Sequence, residues 1–183
     1  MTVFFQTKHL QLTEHGSRDT DELAAAQWNS ATMQRLADGE IKPWQPATYE
    51  FLVGGSRQGD REIYIVHNQA GLAIGWAGLT MIQLKNRGAV IVITVVELPN
   101  RAQILTELMD LLIDSAFTGR NLQRLQIAVA ADDEALLDAV KHAHFILEGC
   151  NRAGLFHAGK RVDCYEYGLL KDEWQANLSE ETR

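Results

Sequence analysis

The stretch "REIYIVHNQAGLAIGWAGLTMIQLKNRGAVIVITVVEL" (Arg61 to Leu98) constrains the fold more than any other part of the chain. Apolar residues recur there with a period of two, in three runs, which is the pattern of strands. Asn68 to Gly71 and Lys85 to Gly88 separate the runs with turn-forming residues. Connections that short join antiparallel neighbours, so the stretch predicts a three-stranded meander.

The period then changes. From Asn100 it becomes helical, with Ile104, Leu105, Leu108, Leu111 and Leu112 on one face and Glu107, Asp110 and Asp114 on the wet side. "PNRAQ" before it reads as a capping sequence, with Asn100 as N-cap and Gln103 three residues on. "LQRLQIAVA" is a buried-type strand. The unit from Ala89 to Val129 is therefore strand, helix, strand, with room for a parallel crossover. "DDEALLDAVKHA" predicts a second helix capped by Asp132 or Asp133, with Leu136, Leu137 and Val140 on its core face. A hairpin turning near Ala158-Gly159-Lys160 follows, and then a polar, frayed tail.

The front half is less explicit. "TKHLQLTEH" alternates as a first strand. "SRDTDELAAAQWNSATMQRLADG" is helical, with Ser17 or Asp19 as cap and Gly39 at its end. "EIKPWQPATYEFLVGG" begins as a loop and adds a short helix. The fold class is α/β: a mixed, mostly antiparallel sheet with one parallel crossover and helices on both faces. A chain of 183 residues suits one such domain, spanning 1–183.

The net charge of -7 argues against a nucleic-acid binder and suits a cationic partner such as an amine or a basic peptide. Two cysteines, Cys150 and Cys164, make neither a disulfide framework nor a zinc pattern. The six histidines are scattered, so no metal is expected. No apolar run approaches the roughly 18 residues of a membrane span, and the first residues do not read as a signal peptide. A cytoplasmic protein that binds neither membrane nor nucleic acid is the expectation.

The last third carries the most specific pattern. "LLDAVKHAHFILEGCNRAGLFHAGKRVDCYEYGLLKDEW" resembles the C-terminal signature of the Gcn5-related N-acetyltransferases, in the branch that includes the ribosomal-protein N-terminal acetyltransferases. That branch commonly ends in a helix, then "GF-x-x-EG", an arginine, a hairpin, "D-x-Y-x-Y-x-LL" and a tryptophan. Glu148, Gly149, Arg152, Asp163, Tyr165, Tyr167, Leu169, Leu170 and Trp174 stand at the matching places, and His144 replaces the glycine before Phe145. The tryptophan-bearing front helix and the central meander resemble the branch as well.

The resemblance implies acetyl-CoA as acyl donor and direct transfer to a primary amine, on a protein N-terminus or a small molecule. It places the acyl-pantetheine arm in a gap beside the fourth strand, about Ala89 to Glu97, where the backbone of Val95, Val96 and Glu97 would face it. It places the pyrophosphate on the loop and helix start at Asn100, Arg101, Ala102, Gln103, Ile104 and Leu105, where helix-end donors and the dipole act. Relatives put glycines in that loop; here Arg101, Gln103 and Leu105 stand instead, and Arg101 offers a cation for phosphate. An asparagine that relatives place beside the pantetheine arm falls at Asp133.

Glu97 is the candidate base. Tyr165 or Tyr167, taken as facing opposite sides of the last strand, could protonate the leaving thiolate. Trp28, Trp44 and Phe156 would line the substrate site. Paired subunits are common in the family, so a homodimer is possible. The glycine-free loop also supports a different reading: a fold relative with impaired catalysis that serves as a binding or assembly module and does not take acetyl-CoA in the usual way.

Overall fold

The computed structural model describes residues 2–14, 16, 18–19, 21–23, 59–157 and 159–181. Its centre is an eight-stranded sheet of order β1-β2-β3-β4-β5-β6-β8-β7. The strands are β1 (Val3–Gln6), β2 (Leu10–Thr13), β3 (Glu62–Asn68), β4 (Ala73–Gln83), β5 (Gly88–Val95), β6 (Arg124–Ala130), β7 (Ile146–His157) and β8 (Lys160–Leu170). The meander is β3-β4-β5, turning where the sequence predicts. Every neighbouring pair is antiparallel except β5 and β6. Those two are joined by helix α1 (Arg101–Asp114) and a π-helical turn at Ser115–Gly119. Helix α2 (Glu134–His142) connects β6 to β7, and α3 (Lys171–Glu181) follows β8.

Period-two alternation sends successive strand residues to opposite faces. Val66, Ile74, Ala77 and Leu79 join the main core with Ile104, Leu105, Leu108 and Leu112 of α1 and Leu136, Leu137 and Val140 of α2. Ile63, Ile65, Ala73 and Trp76 point the other way and pack with Leu23, in the helical turns near residue 21. Helical residues thus lie against the second face too, at Leu23. The second face is tied by a buried pair: His67 Nε2 lies 2.9 Å from Asp19 Oδ1, and the other Asp19 oxygen accepts the Gly16 amide at 2.8 Å.

Four expectations change. The single first strand is a hairpin, because Val3 to Gln6 adds an outer strand that pairs with Gln11 to Thr13. Glu107, expected on the wet face, is partly buried and accepts from His9 Nδ1 at 3.0 Å. Burial raises the pKa of its carboxyl, but hydrogen bonds from Thr7 and from the His9 ring and amide outweigh this and hold it below the usual range. The tail is not frayed from its start: α3 sets Trp174 against Phe117, with ring centroids 5.4 Å apart. The π-helical turn between α1 and β6, which holds Phe117, has no counterpart in the sequence reading. The short helix expected in "ATYEFLVGG" lies outside the described residues.

The C-terminal signature turns out to be architectural. Glu148 on β7 reaches across Gly168 of β8 and pairs through both oxygens with Arg124 on β6. A Cβ on Gly168 would overlap the Glu148 carboxylate. Asp163 Oδ1 accepts the amide of Ala153 at 2.7 Å, inside the irregular part of β7. Ala153 holds a φ of 53°.

His144, at the place where relatives carry glycine, has a φ of 60° just past the end of α2. A left-handed residue there is the usual way to end a helix, and a side chain makes it costly. His144→Gly is expected to stabilise the fold by about 1 kcal/mol. Chemical denaturation checks this, and a destabilisation would count against strain at that position.

Candidate active site

The parting of β5 and β6 defines the site. Their parallel pairing runs only from Gly88–Arg124 to Val90–Gln126. Beyond it β5 continues to Val95, still paired with β4, and β6 continues to Ala130, still paired with β8. The two strands therefore diverge and leave a gap between their C-terminal halves.

Backbone direction follows from the ladder. The Val96 amide donates to Ile74 O at 2.9 Å, so it points toward β4 and away from the gap. This corrects the expectation that Val96 faces a ligand through its backbone. A residue's polar groups alternate in side along a strand. Val95 therefore directs its own toward β6. Val95 is fully buried, and Glu97 is exposed at the mouth.

Helix α1 starts there. Asn100 is its N-cap residue but makes no side-chain capping bond, so the capping box read from "PNRAQ" does not form. The Arg101 amide bonds Leu98 O, and the Ile104 amide bonds Asn100 O. Among the described residues, the amides of Ala102 and Gln103 have no protein acceptor. Both residues are exposed, so two helix-end donors face outward beside the gap. Ile104 and Leu105 are buried in the core, and the Ile104 amide is taken, so they offer a phosphate nothing.

Arg101, expected to offer its cation to phosphate, is held instead by other groups of the protein. It is 7% exposed. Its Nη1 and Nη2 each donate to one oxygen of Asp133 at 2.8 Å, and its Nε donates to Val95 O at 3.3 Å. Asp133 is also the N-cap of α2 and accepts from the Leu136 amide at 3.2 Å. The guanidinium thus ties the end of β5 to the first residue beyond β6 and its turn, across the mouth of the gap. The sequence reading named both residues but not their pairing. Opposite charge 32 residues apart is too common a coincidence to have signalled it.

Tyr165 and Tyr167 do not face opposite sides. Residues two apart on an uninterrupted strand share a face, and β8 is paired with β6 without a bulge from residue 164 to residue 170. Tyr167 is 7% exposed in the core, so it is not available as a proton donor to a ligand. Tyr165 is partly buried and sits opposite Val129, in the part of β6 that has left β5. Phe156 is exposed near the hairpin tip, with the Arg161 guanidinium 5.6 Å from its ring centre. Trp28 and Trp44 lie outside the described residues. Burial raises the pKa of the Cys164 thiol, with the Glu166 carboxylate adding to it, so this thiol stays protonated. A cavity of about 420 Å³ lined by Asp110, Asp114, His142 and Trp174 opens at the other end of α1 and α2, away from the gap.

Neither a protein-family model nor a curated protein sequence matches the chain. Solved structures do. A GCN5-related N-acetyltransferase from Brucella melitensis superposes with a TM-score of 0.72 at 22% identity, over 94% of this chain and 80% of that one. The chain has the fold of the Gcn5-related N-acetyltransferases. RimL, a ribosomal L7/L12 alpha-N-protein acetyltransferase solved in complex with coenzyme A, shares the fold with a TM-score of 0.76 at 20% identity, over 94% and 99% of the two chains. Spermidine N-acetyltransferase from Vibrio cholerae, in complex with CoA and spermine, shares it at 0.72 and 17%, over 92% and 99%. Among the described residues, the one parallel pair of the mixed sheet is β5 and β6, as the strand–helix–strand pattern of Ala89 to Val129 predicts. Among the described residues, no helix is long and apolar enough to cross a membrane.

Proposed function

We propose that this chain is an acetyl-CoA-dependent N-acetyltransferase that moves the acetyl group directly to a primary amine. The observation that carries the reading is the open strand pair: β5 and β6 part beyond Val90, and the uncapped start of α1 stands at the mouth of the gap. Donors at a helix start suit a pyrophosphate, since the amides point outward and the dipole favours negative charge. The main chain of Val95 suits an extended arm lying along the strand edge. The bridge from Arg101 to Asp133 crowds this path.

When bound, acetyl-CoA supplies an activated thioester. The chain's own groups then divide the work. Backbone groups facing the gap hold the donor and orient its carbonyl. Glu97, two residues past the end of β5, takes the proton that the amine must lose, directly or through a water. Tyr165 returns a proton to the departing sulfur in this reading. The net charge of -7 favours approach of a cationic amine, either a polyamine-like small molecule or a peptide N-terminus.

Thermal denaturation with 1 mM acetyl-CoA tests the reading. At a hundredfold excess over Kd a native-state ligand adds about 2.7 kcal/mol, on the order of 5–10 °C in Tm for a chain of this size. Release of free thiol with a panel of polyamines and N-terminal peptides then identifies the acceptor. Silence toward both acetyl-CoA and free CoA favours the second reading, a binding or assembly module. The buried Arg101–Asp133 bridge is the specific observation in favour of that alternative.

A further inference from the structure

We propose that the Arg101–Asp133 pair is a latch that makes donor binding depend on the coenzyme's phosphates. The inference rests on the acetyl-CoA reading above and concerns the same gap. The guanidinium spans the mouth of the gap: one end donates to Val95 O, whose polar groups face β6, and the other holds both oxygens of Asp133. A thioester arm lying along β5 needs that carbonyl and that space. The pair is closed on both sides, with side chains 8% and 7% exposed.

A group that opens this pair must replace what Arg101 loses. A buried guanidinium without a counter-charge is strongly unfavourable. A pyrophosphate offers two charges and several acceptor oxygens, in the geometry that a guanidinium fork prefers. Arg101 is the first residue of α1, directly before Ala102 and Gln103, whose amides have no protein acceptor among the described residues. Its guanidinium has only to swing from Asp133 toward those amides to join them on one phosphate. A neutral pantetheine arm offers no such replacement, so it leaves the latch closed. Arg101 thus makes this loop a selector for phosphate-bearing donors.

Titration calorimetry with acetyl-CoA and with S-acetylpantetheine, which lacks the phosphates, tests the latch. The proteins are the wild type, Asp133→Asn, Asp133→Ser and Arg101→Gln. Serine keeps an N-cap acceptor for Leu136, so that variant retains the α2 cap if the asparagine variant folds poorly. The latch predicts at least tenfold tighter acetyl-CoA binding by the two Asp133 variants. It also predicts at least tenfold tighter S-acetylpantetheine binding by all three variants, a gain that relief of repulsion between Asp133 and phosphate cannot supply. Arg101→Gln should gain for S-acetylpantetheine without the matching gain for acetyl-CoA. If acetyl-CoA binds the wild type but no variant that shows a native circular-dichroism spectrum gains for S-acetylpantetheine, the latch is wrong and the transferase reading stands. If acetyl-CoA binds none of the four proteins, both fall.

Discussion

Asp133→Ala is expected to destabilise the protein by about 3–5 kcal/mol, measured by urea unfolding. Three effects add. The Arg101 guanidinium, 7% exposed, loses the Asp133 carboxylate and stays buried beside Val95 O. Helix α2 loses the side-chain acceptor for the Leu136 amide, a cap that contributes on the order of 1 kcal/mol. The end of β5 and the start of α2 also lose their cross-link. Asp133→Ser should recover the capping share and no more. The double change Arg101→Leu with Asp133→Leu should be less harmful than Asp133→Ala alone, since it removes both charges together. A loss below 1 kcal/mol for Asp133→Ala would mean that water or another group reaches Arg101 easily, and the closed gap described above would not hold.

The second large effect is expected at Gly78. This residue sits in the middle of β4, opposite Ile63 on one side and Val92 on the other. A Cβ there would overlap the backbone carbonyl of Glu62. The overlap is with main chain inside a paired ladder, so no side chain can turn aside to relieve it. Gly78→Ala should cost on the order of 3 kcal/mol, at the upper end for overpacking in a tight interior. Gly75 makes a similar approach to the carbonyl of Thr94, next to Val95 at the gap. Gly71, in the preceding turn, supplies the control: nothing lies within 4 Å of a Cβ there, and its φ of 74° is the sole constraint. Gly71→Ala should therefore cost only about 1–2 kcal/mol. Equal losses at Gly71 and Gly78 would remove close backbone approach as the cause.

Two details of β4 and β8 show why the sequence reading reached some features and missed others. The glycines of "AIGWAG" break no alternation, so the strand was legible from period alone. That they permit close approach of neighbouring strands was not, because it depends on the register of β3 and β5. The Tyr165 and Tyr167 error was of another kind. The two-residue period puts both on one face, and the regular pairing of β8 with β6 keeps them there. The N-cap at Asp133 was legible as one of two candidates, since Asp before an acidic first turn is a local signal. Asn100 carried a different local signal, a cap-type residue with Gln103 three positions on, and with its backbone at φ -104° and ψ 20° the side chain makes no capping bond.

The sequence by itself determined the order of elements from β3 to β8, the antiparallel meander and the parallel crossover. These follow from the period of apolar residues and from connection length, which act over a few residues at a time. The C-terminal signature could be matched in sequence, but its structural work could not: Glu148 spans Gly168 to reach Arg124, and Asp163 holds a bend in β7. The tertiary structure alone decided what closes the gap. Arg101 finds Asp133 because folding sets the starts of α1 and α2 beside each other at the mouth of the gap, and once water is excluded a guanidinium takes the nearest carboxylate. No local pattern encodes that meeting, since it exists only after both strands have taken their places.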